Sequence, residues 1–140
     1  MRIIVLQGMP NKGKTNTIWL VRDLLLNNGG IPIPNEFQFF GTNQIYYKDD
    51  FKDIFDYNGM KVALYSAGDY STCLANAIYD YDRQNCDVLV CAISTNTAKV
   101  RANNALNQFN TTRINKTIAP NRNNPTAENT ADAQIIFNSL

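Results

Sequence analysis

Apolar residues in this chain occur either as short uninterrupted runs or at helical spacing. The uninterrupted runs are rich in β-branched and aliphatic side chains and predict buried strands at residues 2–6, 62–65 and 87–93. Apolar residues that recur every three or four positions predict helices at 14–25, at 71–84 and from about 126 onward. A strand followed by a helix, repeated along the chain, is typical of an α/β fold.

A β-hairpin is predicted in the middle of the chain. Asn58 and Gly59 both tolerate the positive φ angles of a type I′ turn, so we expect residues 52–57 to pair with residues 60–66. Before the hairpin, Pro32 and Pro34 favour an extended surface loop at residues 29–44. A last short strand is expected at residues 113–118, before a polar loop at residues 120–125.

These elements predict one domain spanning residues 1–140. We expect a three-layer α/β fold with a sheet of about five strands, mostly parallel with one antiparallel hairpin strand, and helices on both faces.

The main chemical signal is Gly-Met-Pro-Asn-Lys-Gly-Lys-Thr at residues 8–15, which matches the phosphate-loop pattern GxxxxGK[ST]. It follows a predicted strand and opens a predicted helix, as that mechanism requires, because the helix N-terminus attracts anions. Gly8 and Gly13 would let backbone N–H groups converge on phosphate oxygens. Lys14 would then contact the β and γ phosphates, and the Thr15 hydroxyl would bind Mg²⁺.

A nucleotide is therefore the expected ligand, with ATP and Mg²⁺ as the expected pair. The residues expected to surround its phosphates are Gly8, Pro10, Asn11, Lys12, Gly13, Lys14, Thr15 and Asn16.

Asp69 is the second candidate site residue. It follows the predicted strand at 62–65, and ligands of open α/β sheets gather at the carboxyl ends of strands. A carboxylate there suits Mg²⁺, so we expect Asp69 to act with Thr15 at the metal and with Lys14 in catalysis. The alternative is that Asp69 caps the helix beginning near Ser71.

Other charged residues are weaker candidates. Asp80 and Asp82 resemble paired carboxylates, but their spacing favours a solvated helix face. Lys99 or Arg101 could stabilise transition-state charge, although exposed helix cations are the more ordinary interpretation.

The amino-acid composition argues against several kinds of functional site. The chain has no histidine, which excludes imidazole-dependent triads and disfavours zinc, and its three cysteines form no CxxC pair. We expect them to be reduced and mostly buried. A net charge of +1 without a basic tract argues against a nucleic-acid surface. The chain shows no secretory signal pattern and no membrane-length apolar stretch, so we expect a cytoplasmic protein without membrane association.

With residues 8–15 and Asp69 in place, the chain resembles the P-loop NTPase superfamily over nearly its whole length. The strand preceding Asp69 looks like the kinase and GTPase branch, whose Walker B strand lies next to the phosphate-loop strand. Residues 12–15 and 66–69 are also similar to small uncharacterised bacterial and phage ATP-binding proteins.

The chain departs from two classes within that superfamily. A Ras-like GTPase would carry DxxG and NKxD segments, whereas this chain has Ser-Ala-Gly-Asp at 66–69 and Asn-Lys-Thr-Ile at 115–118. A monophosphate kinase would carry an arginine-bearing lid, and the arginines downstream of the hairpin strand that could serve are Arg101, Arg113 and Arg122.

Three functions remain open at this stage. The first is Mg²⁺-dependent ATP binding with slow hydrolysis or phosphoryl transfer. The second is a nucleotide-dependent regulatory module that contacts a protein partner through the loop at residues 29–44. The third is a small nucleotide or nucleoside kinase.

Overall fold

The computed structural model describes residues 1–121 and 124–140, and these form an α/β fold with seven strands and four helices. The strands are β1 (Arg2–Gly8), β2 (Ile31–Pro32), β3 (Gln38–Phe39), β4 (Phe51–Tyr57), β5 (Met60–Tyr65), β6 (Val88–Ser94) and β7 (Asn110–Asn115). The helices are α1 (Lys14–Asn27), α2 (Ser71–Arg83), α3 (Val100–Leu106) and α4 (Thr126–Asn138).

All the strands belong to one mixed sheet with the order β2-β4-β5-β6-β1-β7, and β3 also pairs with β4. Strands β5, β6, β1 and β7 run parallel to one another, whereas β2, β3 and β5 pair with β4 in antiparallel fashion. The sheet therefore has two more strands than the five or so that we expected, and it has three antiparallel pairings rather than one. The two additional strands have two residues each and lie in the predicted surface loop, where Pro32 is tolerated because β2 is at the sheet edge.

The predicted hairpin is confirmed. Tyr57 pairs with Met60, and the two turn residues between them, Asn58 and Gly59, have φ angles of 49° and 75°. Both values lie in the left-handed region that a type I′ turn requires.

The sheet order corrects the predicted neighbour of the phosphate-loop strand. Strand β5, which leads to Asp69, pairs with β6 and not with β1. Strand β6 occupies the place beside β1, with Arg2 opposite Val88 and Gly8 opposite Ser94. Resemblance to a branch with adjacent strands had suggested otherwise, but the strand that follows α2, β6, lies between β5 and β1.

Helices cover both faces of the sheet, as predicted. On one face, buried residues of α1 and α4 such as Trp19 and Ile136 pack against Leu6 and Val90. On the other face, Leu74 and Ile78 of α2 join a second cluster with α3. Since both faces are buried, the central strands are apolar without alternation.

Several boundaries differ from those predicted. Strand β7 begins at Asn110 and ends at Asn115, earlier than the predicted 113–118. Helix α4 begins at Thr126 as expected; its buried face carries the polar residues Asn129 and Asp132, and Ile135 is exposed. Part of the predicted loop at 120–125, including Arg122, lies outside the described residues.

Two further expectations concern cysteines and membranes. Cys86 and Cys91 are buried and Cys73 is exposed, and all three thiols are free. None of the helices in the described ranges has the length and hydrophobicity needed to cross a bilayer.

Candidate functional site

The end of β1 is fixed from both sides. The carbonyl of Gly8 accepts a hydrogen bond of 3.0 Å from the Thr95 backbone, and the carbonyl of Gln7 accepts one of 2.8 Å from the Lys116 backbone. The chain then leaves the sheet between its two neighbours, β6 and β7, at the carboxyl edge where α/β sheets bind ligands.

Gly13 makes the turn from this loop into α1. Its φ of 89° lies in the left-handed region, which a residue without Cβ adopts at little cost. A Cβ at this position would lie 2.5 Å from Asn129 Oδ1, so the Asn129 side chain of α4 would have to shift for any larger residue. The Gly13 carbonyl accepts hydrogen bonds from the backbone and the hydroxyl of Thr17, which start the helix.

Lys14 folds back over the loop. Its side chain is only 7% exposed, and Nζ donates hydrogen bonds of 2.9 Å to the Gly8 carbonyl and 2.6 Å to the Met9 carbonyl. Burial lowers the pKa of Lys14, and repulsion from Lys99 and Lys116 adds to this effect. Attraction from Asp69 and Asp50 opposes it.

The Thr15 hydroxyl donates a 2.8 Å hydrogen bond to the Asp50 carboxylate, a residue that sequence reasoning missed. The same carboxylate oxygen accepts a 2.9 Å hydrogen bond from Ser66, whose own hydroxyl accepts the Phe51 N–H. These contacts join the start of β4 and the end of β5 to the beginning of α1.

The segment before Asp50 is held in place by α1. Trp19 Nε1 donates to the Asp49 carbonyl at 2.9 Å, and Asn16 Nδ2 donates to the Tyr47 carbonyl at 3.1 Å. No local motif in the sequence indicates these contacts. The pair of adjacent acids immediately before an apolar strand was the only available signal.

The segment that leads from β5 to Asp69 crosses the end of β6. Gly68 permits this crossing, since a Cβ there would lie 2.4 Å from the Ala92 carbonyl oxygen. The Ser94 backbone donates to the Gly68 carbonyl, and the Ser94 hydroxyl donates to the Asp69 carboxylate. The capping alternative was wrong, because Tyr70 is the N-cap of α2 and, among the described residues, no side-chain hydrogen bond caps that helix.

The other charged candidates differ in how far they are exposed to solvent. Asp80 and Asp82 are exposed on α2, where Asp80 pairs with Arg83, as the solvated-face interpretation predicted. Arg101 is exposed, but Lys99 is only 8% exposed and does not belong to a solvated helix face.

A cavity of about 960 Å³ lies beside residues 8–15, and we call it the loop cavity. It is large enough for a nucleotide-sized ligand. Its lining includes Asp50, Ser66 and Ser94 together with seven predicted site residues: Pro10, Asn11, Gly13, Lys14, Thr15, Asn16 and Asp69. The other two, Gly8 and Lys12, line a smaller cavity of about 190 Å³ next to Lys116.

Helix α4 supports the loop with polar groups. Asn129 Nδ2 donates to Asn16 Oδ1 at 3.1 Å, while Asn129 Oδ1 is buried and accepts no hydrogen bond from the described residues. One turn later, Asp132 forms a buried ion pair of 2.8 Å with Lys116 and accepts two hydrogen bonds from Thr117. Asn129, Asp132 and Ile136 lie on one face of α4. Their helical spacing in the sequence was the signal that could have indicated this buried face.

Neither a metal-binding cluster among the described residues nor a known relative identifies the ligand of this site. The described residues contain no cluster of three or more His, Cys, Asp or Glu side chains able to hold a metal ion. No protein-family model matches the chain, and neither a curated protein nor a solved structure matches it.

Proposed function

We propose that the loop cavity binds the triphosphate of a nucleotide with Mg²⁺, that ATP is this nucleotide, and that the protein hydrolyses it slowly or transfers its γ-phosphoryl group. The observation that carries this proposal is the environment of Lys14. Its buried ammonium is bonded to the loop carbonyls of Gly8 and Met9 at the wall of a nucleotide-sized cavity. A phosphate would add negative charge to that of Asp69 and Asp50, the nearby anions that attract this buried cation within the described part of the chain.

The donor set beside Lys14 fits Mg²⁺. This ion prefers oxygen ligands, keeps several waters and commonly takes one or two carboxylates together with substrate phosphates. Thr15 and Asp50 offer a hydroxyl and a carboxylate that are already within hydrogen-bond distance. A cluster of three acidic side chains is therefore not required for a metal held mainly by phosphate.

Two carboxylates compete for the metal. The sequence favours Asp69 with Thr15, and Asp69 does line the loop cavity. The direct bond from Thr15 to Asp50 supports Asp50 as the closer partner of the metal. We assign the metal to Thr15 and Asp50, and the role of Asp69 at the metal becomes the competing hypothesis.

Mg²⁺ would neutralise phosphate charge and orient the triphosphate when bound. Lys14 would neutralise the β and γ phosphates, and the backbone N–H groups around Gly13 would hold their oxygens. With no histidine in the chain, any proton transfer falls to a carboxylate, and Asp69 lines the loop cavity.

A second candidate function is a nucleotide-dependent interaction module. Tyr47 lines the loop cavity, and its ring lies 5.6 Å from that of Trp19. Trp19 also contacts Phe37 and Phe39, which belong to the loop at residues 29–44. A ligand that displaces Tyr47 would therefore disturb the segment expected to meet a protein partner.

Thermal unfolding with and without nucleotide tests the proposal. ATP with Mg²⁺ should raise Tm by several degrees, since ligand at 100 times Kd stabilises a protein by about 2.7 kcal/mol. GTP, dNTPs and monophosphates in the same assay establish which base and how many phosphates are recognised.

The Lys14→Ala variant should lose this stabilisation. Lys52→Ala is the matched control, because Lys52 lies on β4 and lines a separate cavity beside α2. Equal stabilisation of the wild type and Lys14→Ala would contradict phosphate binding by this loop.

A further inference from the structure

A second cavity, of about 500 Å³, adjoins the loop cavity. Its lining comes from residues 69–73 and 97–101, and we call it the side cavity. Asp69 belongs to the lining of both cavities, so this residue lies where they meet.

Lys99 is the unusual group in the side cavity. Its side chain is only 8% exposed, and its backbone adopts the left-handed conformation, with φ 48° and ψ 51°, which is uncommon for a residue with a Cβ. Nζ donates to Thr97 Oγ1 at 2.6 Å and to Asn96 Oδ1 at 3.2 Å, both neutral acceptors. Within the described residues, Lys99 forms no ion pair.

A buried ammonium without an anionic partner is costly, because neutral oxygens replace only part of its hydration. Lys99 also lies close enough to Lys14 for its charge to lower the pKa of Lys14. Lys14 and Lys99 repel each other, and an anion bound between them would relieve this repulsion in addition to the attraction that Asp69 and Asp50 already give Lys14.

The outer part of the side cavity has a different character. Tyr70 is 73% exposed and Val100 is 62% exposed, so a ring and an aliphatic group face solvent at its rim. Arg101 lines the same rim and is exposed. A ligand with a flat ring and an anionic group would cover the apolar surface and pair with the guanidinium.

We propose that the side cavity binds a phosphoryl acceptor that carries a free hydroxyl, a flat ring and an anionic group, as a nucleoside monophosphate with a free 5′ hydroxyl does. This inference rests on the proposed function of the loop cavity and names the acceptor for it. The γ-phosphoryl group lies between Lys14 and Lys99, and the acceptor hydroxyl meets Asp69 at the junction.

The transfer step balances without another reactant. The acceptor oxygen forms a bond to the γ phosphorus of the nucleoside triphosphate while the bond from that phosphorus to the β–γ bridging oxygen breaks. Asp69 takes the hydroxyl proton, and the electron pair of the broken bond leaves on the nucleoside diphosphate. Lys14 and Lys99 neutralise the charge on the transferred group.

The test measures ADP formation by the whole chain from ATP and Mg²⁺ with three kinds of probe. Ribonucleoside 3′-monophosphates carry all three features, the parent ribonucleosides lack the anion, and methyl ribofuranoside 3-phosphate keeps the anion and the free 5′ hydroxyl but lacks the flat ring. We expect the 3′-monophosphates to raise the rate about tenfold or more over the acceptor-free rate. Phosphorus NMR should show the new phosphate on the 5′ oxygen.

An unchanged rate with every probe would overturn the proposal if ATP and Mg²⁺ still raise Tm. Equal rates with 3′-monophosphates and parent nucleosides would overturn the requirement for an anionic group. Absence of any rise in Tm with ATP would instead mean that the proposed function of the loop cavity is wrong.

Two variants test the location of the acceptor. Val100→Trp should fill the side cavity, so the 3′-monophosphate should no longer stimulate ADP formation while ATP still raises Tm. Ile135→Trp, on the exposed face of α4, is its control. Arg101→Glu should raise KM for the 3′-monophosphate about tenfold with little change in kcat, and Arg83→Glu on α2 is its control. Full stimulation in Val100→Trp, or an unchanged KM in Arg101→Glu, would contradict this location.

Discussion

Thr15 Oγ1 donates a 2.8 Å hydrogen bond to Asp50 Oδ1 across 35 residues of sequence. Because Ser66 donates to the same oxygen, the carboxylate is fixed before any ligand arrives. The hydroxyl and the carboxylate that we propose as metal ligands are therefore already side by side.

Substitution of the two competing carboxylates separates their roles. We expect Asp50→Asn to raise the Mg²⁺ concentration for half-maximal stabilisation by ATP about tenfold, because loss of one charged oxygen weakens metal binding. Under our assignment, Asp69→Asn slows phosphoryl transfer but leaves that Mg²⁺ concentration nearly unchanged. Titration of Mg²⁺ in the thermal unfolding assay measures both. The opposite pattern would return the metal to Asp69.

Gly13→Ala should destabilise both the fold and the loop. The substitution places a Cβ at a positive φ and 2.5 Å from Asn129 Oδ1, so we expect a cost of about 1–3 kcal/mol in urea denaturation. Gly41→Ala is the control, since a Cβ there meets nothing within 4 Å. Equal stability of the two variants would show that α4 does not restrict the loop at this point.

The fluorescence of Trp19, the only tryptophan, should report on the nucleotide. Its ring is buried and contacts Tyr47, which lines the loop cavity. Binding of ATP with Mg²⁺ should change the emission with the same Kd as the thermal stabilisation, and Lys14→Ala should show no change. Constant emission during saturable stabilisation would contradict coupling between the cavity and the loop at 29–44.

The buried ion pair between Lys116 and Asp132 predicts a specific pH dependence. Burial acts to raise the pKa of Asp132, but hydrogen bonds from Lys116 and Thr117 outweigh it, and the pKa is lowered from 3.8. Ionised Asp132 therefore stabilises the fold at pH values above 3.8, and this stabilisation is lost as the pH falls through the lowered pKa.

Asp132→Asn tests that contribution. The variant leaves Lys116 buried without its partner and should lose about 3–5 kcal/mol at neutral pH. The difference from the wild type should shrink in acid. Asp80→Asn removes an exposed ion pair with Arg83 and should change stability little at any pH. A constant difference between wild type and Asp132→Asn down to pH 3 would be inconsistent with a lowered pKa.

Local signals explain why the hairpin and the turn at Gly13 were predictable. Asn58 and Gly59 specify their turn by backbone preference alone, and Gly13 specifies another. Asp50 was missed because its contact with Thr15 depends on how the hairpin strand sits against α1. A local sequence pattern does not specify such a long-range contact.

The neighbour of β1 could not be inferred for a similar reason. Buried strands β5 and β6 are both continuous apolar runs, so nothing in their composition distinguishes which one lies beside β1. The buried polar face of α4 was present at helical spacing, but Asn129 and Asp132 look like surface residues until Gly13 and Lys116 are placed against them.

The position of β1 between β6 and β7 has a consequence for how the protein forms during synthesis. Arg2 pairs with Val88 on one side and with Asn110 on the other, so both edges of β1 remain unpaired until these later strands have left the ribosome. Long loops must close before these contacts stabilise anything, which slows folding. The loop at residues 8–15 is therefore synthesised before both strands that flank β1, and it acquires its final surroundings only after residues 110–115 have been made.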